Sequence, residues 1–424
     1  MIRPDRIVVI NDLSCPMGGA SALAMQSALG FANRGLPVTV LSGDSPPPLG
    51  LGHPGVKAQG LGEARLLARG GIQAMTRGWW NRAAWHMVRG WTARHDTPTT
   101  VYHLHGWSQI LSPAVLAALA PVRDRLVISA HDFFLVCPNG AFADLPTGAP
   151  CARVPLGIAC ALARCDRHGT VHKAWRLGRA AIQRLAMAPQ HSPPVLAIHA
   201  AMAPLLQRGG IPAAAIHVVP NPVVPWSATR IAAETCREVL FVGRLEDTKG
   251  ADLALAAARA AHVPIRVIGD GAQASRLRAL YPEAQFTGRL DPPQIAALAH
   301  RARLLVMPSR YPEPFGLVAI EAARSGLPVL LPPSALLADD IVRIGAGLTV
   351  EPRDTARFAA LLRELAGDDT AIAAMSHAGH LLGAFLALDP DGWLDRLLEI
   401  YAERLAQEAI RRALPSIGID AAVA

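Results

Sequence analysis

Residues 304–321 read LLVMPSRYPEPFGLVAIE, and no other stretch of the sequence says more about the fold. Leu304 to Met307 is a short apolar run, typical of a parallel strand that is buried on both faces. A proline-flanked loop with Glu313 follows, and a helix is expected to begin near Phe315. Glu321 would lie about two turns into that helix. The pattern predicts a strand, a loop and a helix that present two carboxylates at different depths.

A second stretch of the same kind lies upstream. Glu238 to Val242 reads as a strand, residues 243–250 (GRLEDTKG) as a glycine loop, and a helix is expected from Gly250 to Ala260. Arg244 and Lys249 are spaced to flank a pyrophosphate, and Lys249 directly precedes a helix end whose amides favour anions. Taken alone, this loop would be interpreted as a βα turn with solvated charges. The two stretches together favour an anion site.

The same strand-and-helix alternation occurs in two series along the chain. It predicts an α/β protein with two Rossmann-like, doubly wound domains that face each other across a cleft. We expect an N-terminal domain over residues 1–222 and a C-terminal domain over residues 223–384, joined by a proline-rich linker. The C-terminal helix, residues 385–424, is expected to pack back on the first domain.

Composition limits the class of protein. The 424 residues are 51% hydrophobic and 17% charged, which excludes a disordered polar chain and favours two cores. The net charge of +8 favours anionic partners, but no zinc-finger or RNA-binding signature is present, so nucleic acid is not expected. No stretch approaches the length of a membrane-spanning helix and no signal peptide is recognisable, so a cytoplasmic location is expected.

With these motifs in order, the chain resembles the retaining glycosyltransferases of family 4 (glycosyl transferases group 1), which have the GT-B fold. The resemblance is carried by the spacing of Glu313 and Glu321 and by the GRLxxxKG loop. Further matches are IRVIGDG at residues 265–271, FTGRL at 286–290 and VVPNPV at 218–223. It covers nearly the whole chain and is most specific from Phe241 to Leu331.

The resemblance implies a donor site for a nucleoside diphosphate sugar. Arg244 and Lys249 should clamp the diphosphate, Glu321 should bond the ribose hydroxyls, and Glu313 should hold hydroxyls of the transferred sugar. The backbone of other residues should complete this site; they are Phe315, Gly316 and Leu317 beside the sugar, and Gly288, Arg289 and Leu290 at the base. Neither a divalent cation nor another cofactor is expected, because the cations and the helix end supply the positive field.

In the first domain, His131 follows the strand Leu126 to Ser129, where a histidine is structural or functional with similar frequency. The resemblance assigns His131 to the donor sugar's primary hydroxyl. Gly18 and Gly19 lie at the first βα turn, where their amides could face the donor phosphates or the acceptor, or where the turn simply needs small residues. His103 and His105 could shape the acceptor site, although core histidines are the plainer interpretation.

The chain also departs from the family pattern. Residues 334–335 are Ser-Ala and residues 339–340 are Asp-Asp, where the family often has Gly-Gly and Glu. Asn221 is followed by proline instead of glycine, and His199 replaces a common serine. These departures leave the phosphate clamp intact but blur which sugar is bound.

Two features remain open. Cys137, Cys151, Cys160 and Cys165 fall in one irregular segment, and their spacing is not that of a common zinc site; unligated thiols are favoured over a structural metal. The stretches 65–94 and 164–184 combine arginines with tryptophans, which suits an anionic membrane surface or, equally, a packed helix with solvated charges.

These observations predict a hexosyltransferase that acts with retention on a saccharide or lipid-linked saccharide, in surface polysaccharide biosynthesis. It would be peripheral on the inner membrane face if the basic stretches bind lipid. Two alternatives stay open. One is a nucleotide-sugar epimerase on the same scaffold, which would need further acid and base groups around the sugar. The other is a catalytically silent nucleotide-sugar-binding protein.

Overall fold

The computed structural model describes residues 2–46, 52–69, 71–189 and 192–413. Thirteen strands form two parallel sheets, one of seven strands and one of six. The strands of the first sheet are β1 (Arg6–Asn11), β2 (Val38–Ser42), β3 (Val56–Gly60), β4 (Thr100–Leu104), β5 (Leu126–Ala130), β6 (Val195–Ala197) and β7 (Ile216–Val218). Those of the second are β8 (Glu238–Val242), β9 (Ile265–Ile268), β10 (Gln285–Gly288), β11 (Ala302–Val306), β12 (Val329–Leu331) and β13 (Gly347–Thr349).

Helices connect these strands and cover the sheets. Up to the end of the first sheet they are α1 (Gly19–Asn33), α2 (Leu66–Arg69), α3 (Gly71–Trp79), α4 (Arg82–His95), α5 (Ala114–Ala118), α6 (Ile158–Leu162), α7 (Thr170–Met187) and α8 (Ala203–Arg208). The remainder are α9 (Ala251–Ala261), α10 (Ala274–Leu280), α11 (Pro292–Ala299), α12 (Leu317–Arg324), α13 (Ala338–Arg343), α14 (Thr355–Gly367), α15 (Asp369–Leu382) and α16 (Pro390–Ala413).

The strand orders are β3-β2-β1-β4-β5-β6-β7 and β10-β9-β8-β11-β12-β13. In both sheets the order reverses beside the first strand, which is the signature of a doubly wound fold, and the predicted fold class is confirmed. The central strands are fully buried because helices cover both faces, which explains their continuous apolar sequences. Ligands of such sheets bind beyond the carboxyl ends of the strands at the reversal, here β1 and β4 or β8 and β11.

Three strands were not anticipated from the sequence. β3, β10 and β13 occupy sheet edges or near-edge positions, and their sequences VKAQG, QFTG and GLT lack the apolar run that marks a buried strand. The sheet edge needs fewer buried side chains, so these segments pair by backbone hydrogen bonds with little apolar signal.

The C-terminal helix α16 packs against the first sheet, although it follows the second in sequence. Leu397 and Tyr401 are fully buried in the cluster that contains the strands β1 and β4. Gly30 allows a close approach to Leu394, since a Cβ there would overlap the leucine side chain. The helix begins at Pro390 instead of residue 385, and residues 414–424 of the expected segment lie outside the described residues.

Candidate active site

A cavity of about 320 Å³ lies between the carboxyl ends of the two sheets. Both series of strands contribute to its wall. From the first come Gly18, Gly19, His131 and Asp132, and from the second Arg244, Lys249, Glu313 and the start of α12. A neighbouring cavity of about 220 Å³ shares Gly18, Gly19, His131, Asp132 and Arg244 and extends past the carboxyl ends of β1 and β4 to Asp12, Arg65 and Gln109. We call them the donor-side and the acceptor-side cavity.

Lys249 and Glu313 form a largely buried ion pair in the donor-side cavity. The ammonium donates to both carboxylate oxygens, at 2.8 and 2.7 Å, and Ser309 Oγ donates to Glu313 Oε2 at 2.9 Å. Burial alone would lower the pKa of Lys249, but the Glu313 carboxylate offsets this and raises it. Burial likewise opposes ionisation of Glu313, and Lys249 nevertheless holds its pKa below the ordinary value. Both groups are therefore charged at neutral pH, and the carboxylate is compensated without solvent.

Two glycines with positive φ hold this pair in place. Gly250, with φ of 70°, caps α9 directly after Lys249, and a Cβ there would overlap the carbonyl oxygen of Pro308. Gly316, with φ of 74°, precedes α12, so the chain turns sharply from the loop of Glu313 into the helix. A side chain at either position would strain the backbone, because L-residues disfavour the left-handed region. The first amides of α12 have no partner within the helix, and Phe315, Gly316 and Leu317 around its start line the cavity.

Arg244 is more exposed to solvent than Lys249. Its side chain is more than half exposed, and its guanidinium donates to Glu246 at 2.7 Å. It lines both cavities, so it stands at the junction between them. A cation in that position can approach an anion bound in either cavity.

Glu321 lies one turn into α12, not two, because the helix begins at Leu317. It is not among the described residues that line the donor-side cavity. Burial raises the pKa of Glu321 to about 7, and a hydrogen bond from Trp226 only partly offsets the penalty. Trp226 was not singled out from the sequence, since nothing in the linker pattern relates it to a helix a hundred residues away.

His131 belongs to a row of three stacked histidines. His131 Nε2 lies 3.0 Å from His105 Nδ1, and the His105 and His103 rings are 4.0 Å apart. His103 continues the row to Tyr401 of α16, with Nδ1 to hydroxyl at 2.6 Å. Burial lowers the pKa of His131 to about 4 and of His103 to about 3, so the row is neutral at pH 7. His131 lines both cavities, while His103 is wholly buried as a core histidine.

Two aspartates of the acceptor-side cavity were not predicted as site residues. Asp12 follows β1 and accepts the backbone N–H groups of Gln109, Ile110 and Leu111 at 2.7 to 2.9 Å, so it ties β1 to the segment after β4. Asp132 lines both cavities and accepts only the Phe134 N–H within the described chain, at 2.8 Å. Burial raises the pKa of Asp132 to about 6. Its place directly after His131 was the available signal.

The structure does not gather every predicted donor residue. Gly288 ends β10, Arg289 donates to the Pro16 carbonyl at 3.3 Å, and Leu290 packs against the core. None of the three is among the described residues lining either cavity. Arg289 instead joins the second sheet to the loop before α1, at the side of the cleft. Their predicted contact with a base remains a prediction.

The four clustered cysteines surround a small void of about 10 Å³. Lys173 of α7, which is buried, donates to Cys165 Sγ at 3.1 Å and to Cys160 Sγ at 3.7 Å. Cys137 donates to Asn139, and Cys151 lies at the rim near Arg153. All four are free thiols. In the part of the chain that the structure describes, no three histidine, cysteine or acidic side chains are grouped to hold a metal ion.

Two departures from the family pattern contact each other. His199, after β6, lies with Nε2 2.9 Å from Asp340 Oδ2 of α13, and this contact joins the first sheet to the second. Burial opposes ionisation of Asp340, but Arg343 and His199 hold its pKa below the ordinary value. His199 and Asp340, at two positions where the chain departs from the family pattern, therefore form one contact across the cleft.

Comparison with known proteins agrees with this architecture. Residues 17–225 match the family model described as Glycosyltransferase Family 4, and residues 228–380 match that of Glycosyl transferases group 1. The chain therefore belongs to the GT-B glycosyltransferases. Within them it is a member of family 4, which confirms the resemblance stated from the sequence.

Individual relatives cover the chain to different extents. Over 145 residues the chain is 37% identical to a glycogen synthase of Mycobacterium tuberculosis (strain H37Rv); this is 32% of the chain and only 35% of that protein. It is 28% identical over 433 residues to D-inositol 3-phosphate glycosyltransferase 1 of Catenulispora acidiphila, covering 94% of the chain and 96% of the relative.

Solved structures share the fold at low identity. Sucrose-phosphate synthase from Thermosynechococcus elongatus superposes with a TM-score of 0.68 at 17% identity, covering 95% of this chain and 100% of that one. Anabaena Alr3699/HepE in complex with UDP superposes with a TM-score of 0.66 at 15% identity, covering 94% and 100%.

Proposed function

We propose that the protein transfers a hexose, with retention, from a nucleoside diphosphate sugar to a hydroxyl of a saccharide or lipid-linked saccharide, in surface polysaccharide biosynthesis. The observation that carries this proposal is the largely buried Lys249–Glu313 pair, in a cavity that residues from both sheets line. The two catalytic ingredients, a cation for the leaving diphosphate and a carboxylate for sugar hydroxyls, are then adjacent. The related Alr3699/HepE, seen with UDP, supports a nucleotide ligand.

In this proposal the cations stabilise the departing diphosphate electrostatically. Lys249 is already desolvated, so its field acts at low dielectric, and the amides at the α12 N-terminus add to it without reorganisation. Arg244, at the junction of the cavities, can close on the same phosphates. Negative charge that develops on the leaving group is thereby stabilised more than the intact donor, which is the requirement for a faster reaction.

In this proposal the two carboxylates accept hydrogen bonds from hydroxyls of the donor. Glu313 accepts from the sugar in this proposal by exchanging one of the hydrogen bonds that it accepts from Lys249, Ser309 and Tyr311. Glu321 exchanges its Trp226 partner for ribose hydroxyls in this proposal. Retention is proposed by a same-face reaction in which the leaving phosphate takes the acceptor proton, with the acceptor in the second cavity beside Asp132 and neutral His131. This part of the proposal comes from family membership together with the cavity layout.

A thermal-shift screen with UDP, GDP, ADP and their sugars tests the donor site. A ligand that binds only the folded state raises the melting temperature, so one nucleotide should stand out. Lys249→Ala should abolish this shift, because it removes the phosphate cation and strands the Glu313 charge. Arg259→Ala is the matched control, since it breaks an exposed ion pair with Glu283 outside the cavities and should leave the shift intact.

Two outcomes would contradict the proposal. One is a folded protein with no shift for any nucleotide or nucleotide sugar. The other is an equal shift in Lys249→Ala and in the wild type. Nucleotide binding without hydrolysis or transfer of any donor sugar would instead favour the silent binding protein.

A further inference from the structure

The two arginine- and tryptophan-rich stretches form one surface in the folded protein. The indole of Trp79 donates to the Trp175 carbonyl at 3.0 Å, and the indole of Trp175 donates back to the Met75 carbonyl at 3.0 Å. These reciprocal bonds fasten α3 to α7. The first turn of α7 also contacts α6, since Lys173 reaches Cys160. Segments about a hundred residues apart in sequence are therefore in contact, and α7 joins α3 to α6.

This face exposes large apolar side chains that a monomer ordinarily buries. Ile72 on α3 is 79% exposed, Ile158 and Leu162 on α6 are 82% and 79% exposed, and Val171 on α7 is 73% exposed. Met75, Trp79 and Trp80 are exposed to a lesser degree beside them. We call these seven residues the apolar face. Their grouping on contacting helices distinguishes them from single exposed residues, which need no explanation.

The chain around the apolar face is strongly basic. Residues 64–95 contain arginines but no aspartate or glutamate, and the arginines are Arg65, Arg69, Arg77, Arg82, Arg89 and Arg94. Residues 145–190 contain one acid, Asp166, which pairs with Arg176 at 2.9 Å. Against it stand the exposed Arg153, Arg164, Arg167 and Arg184, while Lys173, Arg176 and Arg179 are buried or largely buried. Arg153, Arg164 and Arg167 are exposed close to α6, so positive charge borders the exposed isoleucines.

We infer that the apolar face docks on an anionic lipid bilayer. Apolar side chains and tryptophans enter the interface while the bordering arginines meet anionic headgroups, which is the chemistry of a peripheral amphipathic surface. An acidic protein partner would match the charge but would not need isoleucine, leucine and tryptophan to be presented without a groove. Among the described residues, no helix is long and apolar enough to cross a membrane.

Docking in this manner would orient the acceptor-side cavity. Arg65 lines that cavity, and the next residue, Leu66, donates its backbone N–H to the Gln109 carbonyl at 2.9 Å. The helices α2 and α3 follow directly, so the apolar face begins where the acceptor-side cavity opens. That the membrane thereby delivers a lipid-linked saccharide rests on the proposed function; the docking itself does not.

Flotation of the full chain with vesicles tests the inference. Vesicles of phosphatidylcholine with phosphatidylglycerol should carry the protein upward, vesicles of phosphatidylcholine alone should not, and high salt should weaken the binding. Replacing Ile72 and Ile158 together by serine should weaken binding by about ten-fold or more, since two buried aliphatic side chains are lost from the bilayer. Phe385→Ser is the matched control: Phe385 is 83% exposed but lies beyond the second sheet, and its loss should change nothing.

Folding is checked by the melting temperature and donor binding by the nucleotide shift, and the double isoleucine variant should retain both. Absence of vesicle binding, or equal binding by the double variant and the wild type, would overturn the inference. So would a concentration-dependent dimer that the double variant abolishes while no vesicle is bound, because the face would then join two copies. A failed nucleotide shift with intact vesicle binding would count against the proposed function alone.

Discussion

At the scale of single residues, two partly buried glutamates that follow β11 differ in how their charge is compensated. Glu313 accepts two contacts from the Lys249 ammonium and remains ionised. Glu321 has only the Trp226 indole to offset burial, and its pKa rises to about 7. The Lys249–Glu313 pair is therefore charged at neutral pH, whereas Glu321 is near its titration point there.

Glu321 should make the stability of the protein depend on pH. Its folded pKa of about 7 exceeds the ordinary 4.5, so its stabilising contribution is complete below about pH 4.5 and is lost as pH rises through 7. The loss amounts to about 3 kcal/mol by this shift. Glu321→Gln should thus gain stability relative to wild type at about pH 8 compared with about pH 4.5, measured by urea unfolding. Exposed Glu364→Gln controls for loss of charge, and parallel pH curves for wild type and Glu321→Gln would contradict the expectation.

At the scale of elements, glycines at helix starts shape the donor-side cavity. The turn into α9 brings Lys249 beside the segment after β11, and the turn into α12 brings Glu313 back to it. Each turn uses a left-handed glycine, so the pair forms from two βα connections and not from either alone. The turn at Gly250 lies at the end of the GRLxxxKG loop, and the turn at Gly316 ends the sequence Pro314-Phe315-Gly316.

Gly250→Ala should destabilise the protein much more than Gly35→Ala. Both glycines have positive φ, of 70° and 76°, so both variants lose roughly 1–2 kcal/mol to backbone strain. A Cβ at Gly250 also overlaps the Pro308 carbonyl, whereas nothing lies within 4 Å of one at Gly35. Overpacking should add about 1–3 kcal/mol at Gly250. Urea midpoints measure the difference, and equal losses in the two variants would argue against the close approach.

At the scale of the whole molecule, the chain returns from the second sheet to finish the first. The helix α16 fills a face of the first sheet and supplies Tyr401 to the histidine row that ends at His131. The contact of His199 with Asp340 joins the two sheets at another point. Each sheet thus depends on residues that lie far away in sequence.

Leu397→Ala should show this dependence. Leu397 is fully buried against the first sheet, and truncation of a buried leucine costs about 2–5 kcal/mol. Ile410→Ala, on the exposed side of the same helix, should stay within about 0.5 kcal/mol. Urea unfolding of the two variants, compared under the same conditions, makes the measurement. A small loss for Leu397→Ala would indicate that α16 contributes little to the first core.

The fold class, the family and most central strands could be predicted from the sequence alone. Buried parallel strands must be apolar on both faces, and the donor-side loops carry glycine, charge and proline at fixed spacing, so both features are local. Edge strands such as β3 and β13 were missed because pairing at an edge leaves little trace in a short sequence. The predicted roles of Glu313, Lys249 and their neighbours remain predictions, although the structure brings these two side chains into contact.

Contacts between residues that are distant in sequence could be identified only in the folded structure. Trp226 with Glu321, His199 with Asp340, and α3 with α7 are contacts between segments separated by roughly a hundred residues or more, and no local pattern encodes such pairings. The same holds for burial, which sets the pKa of Asp132 and of Glu321. Chemistry written in neighbouring residues can be read from the sequence, whereas desolvation and long-range contact arise only when the chain has folded.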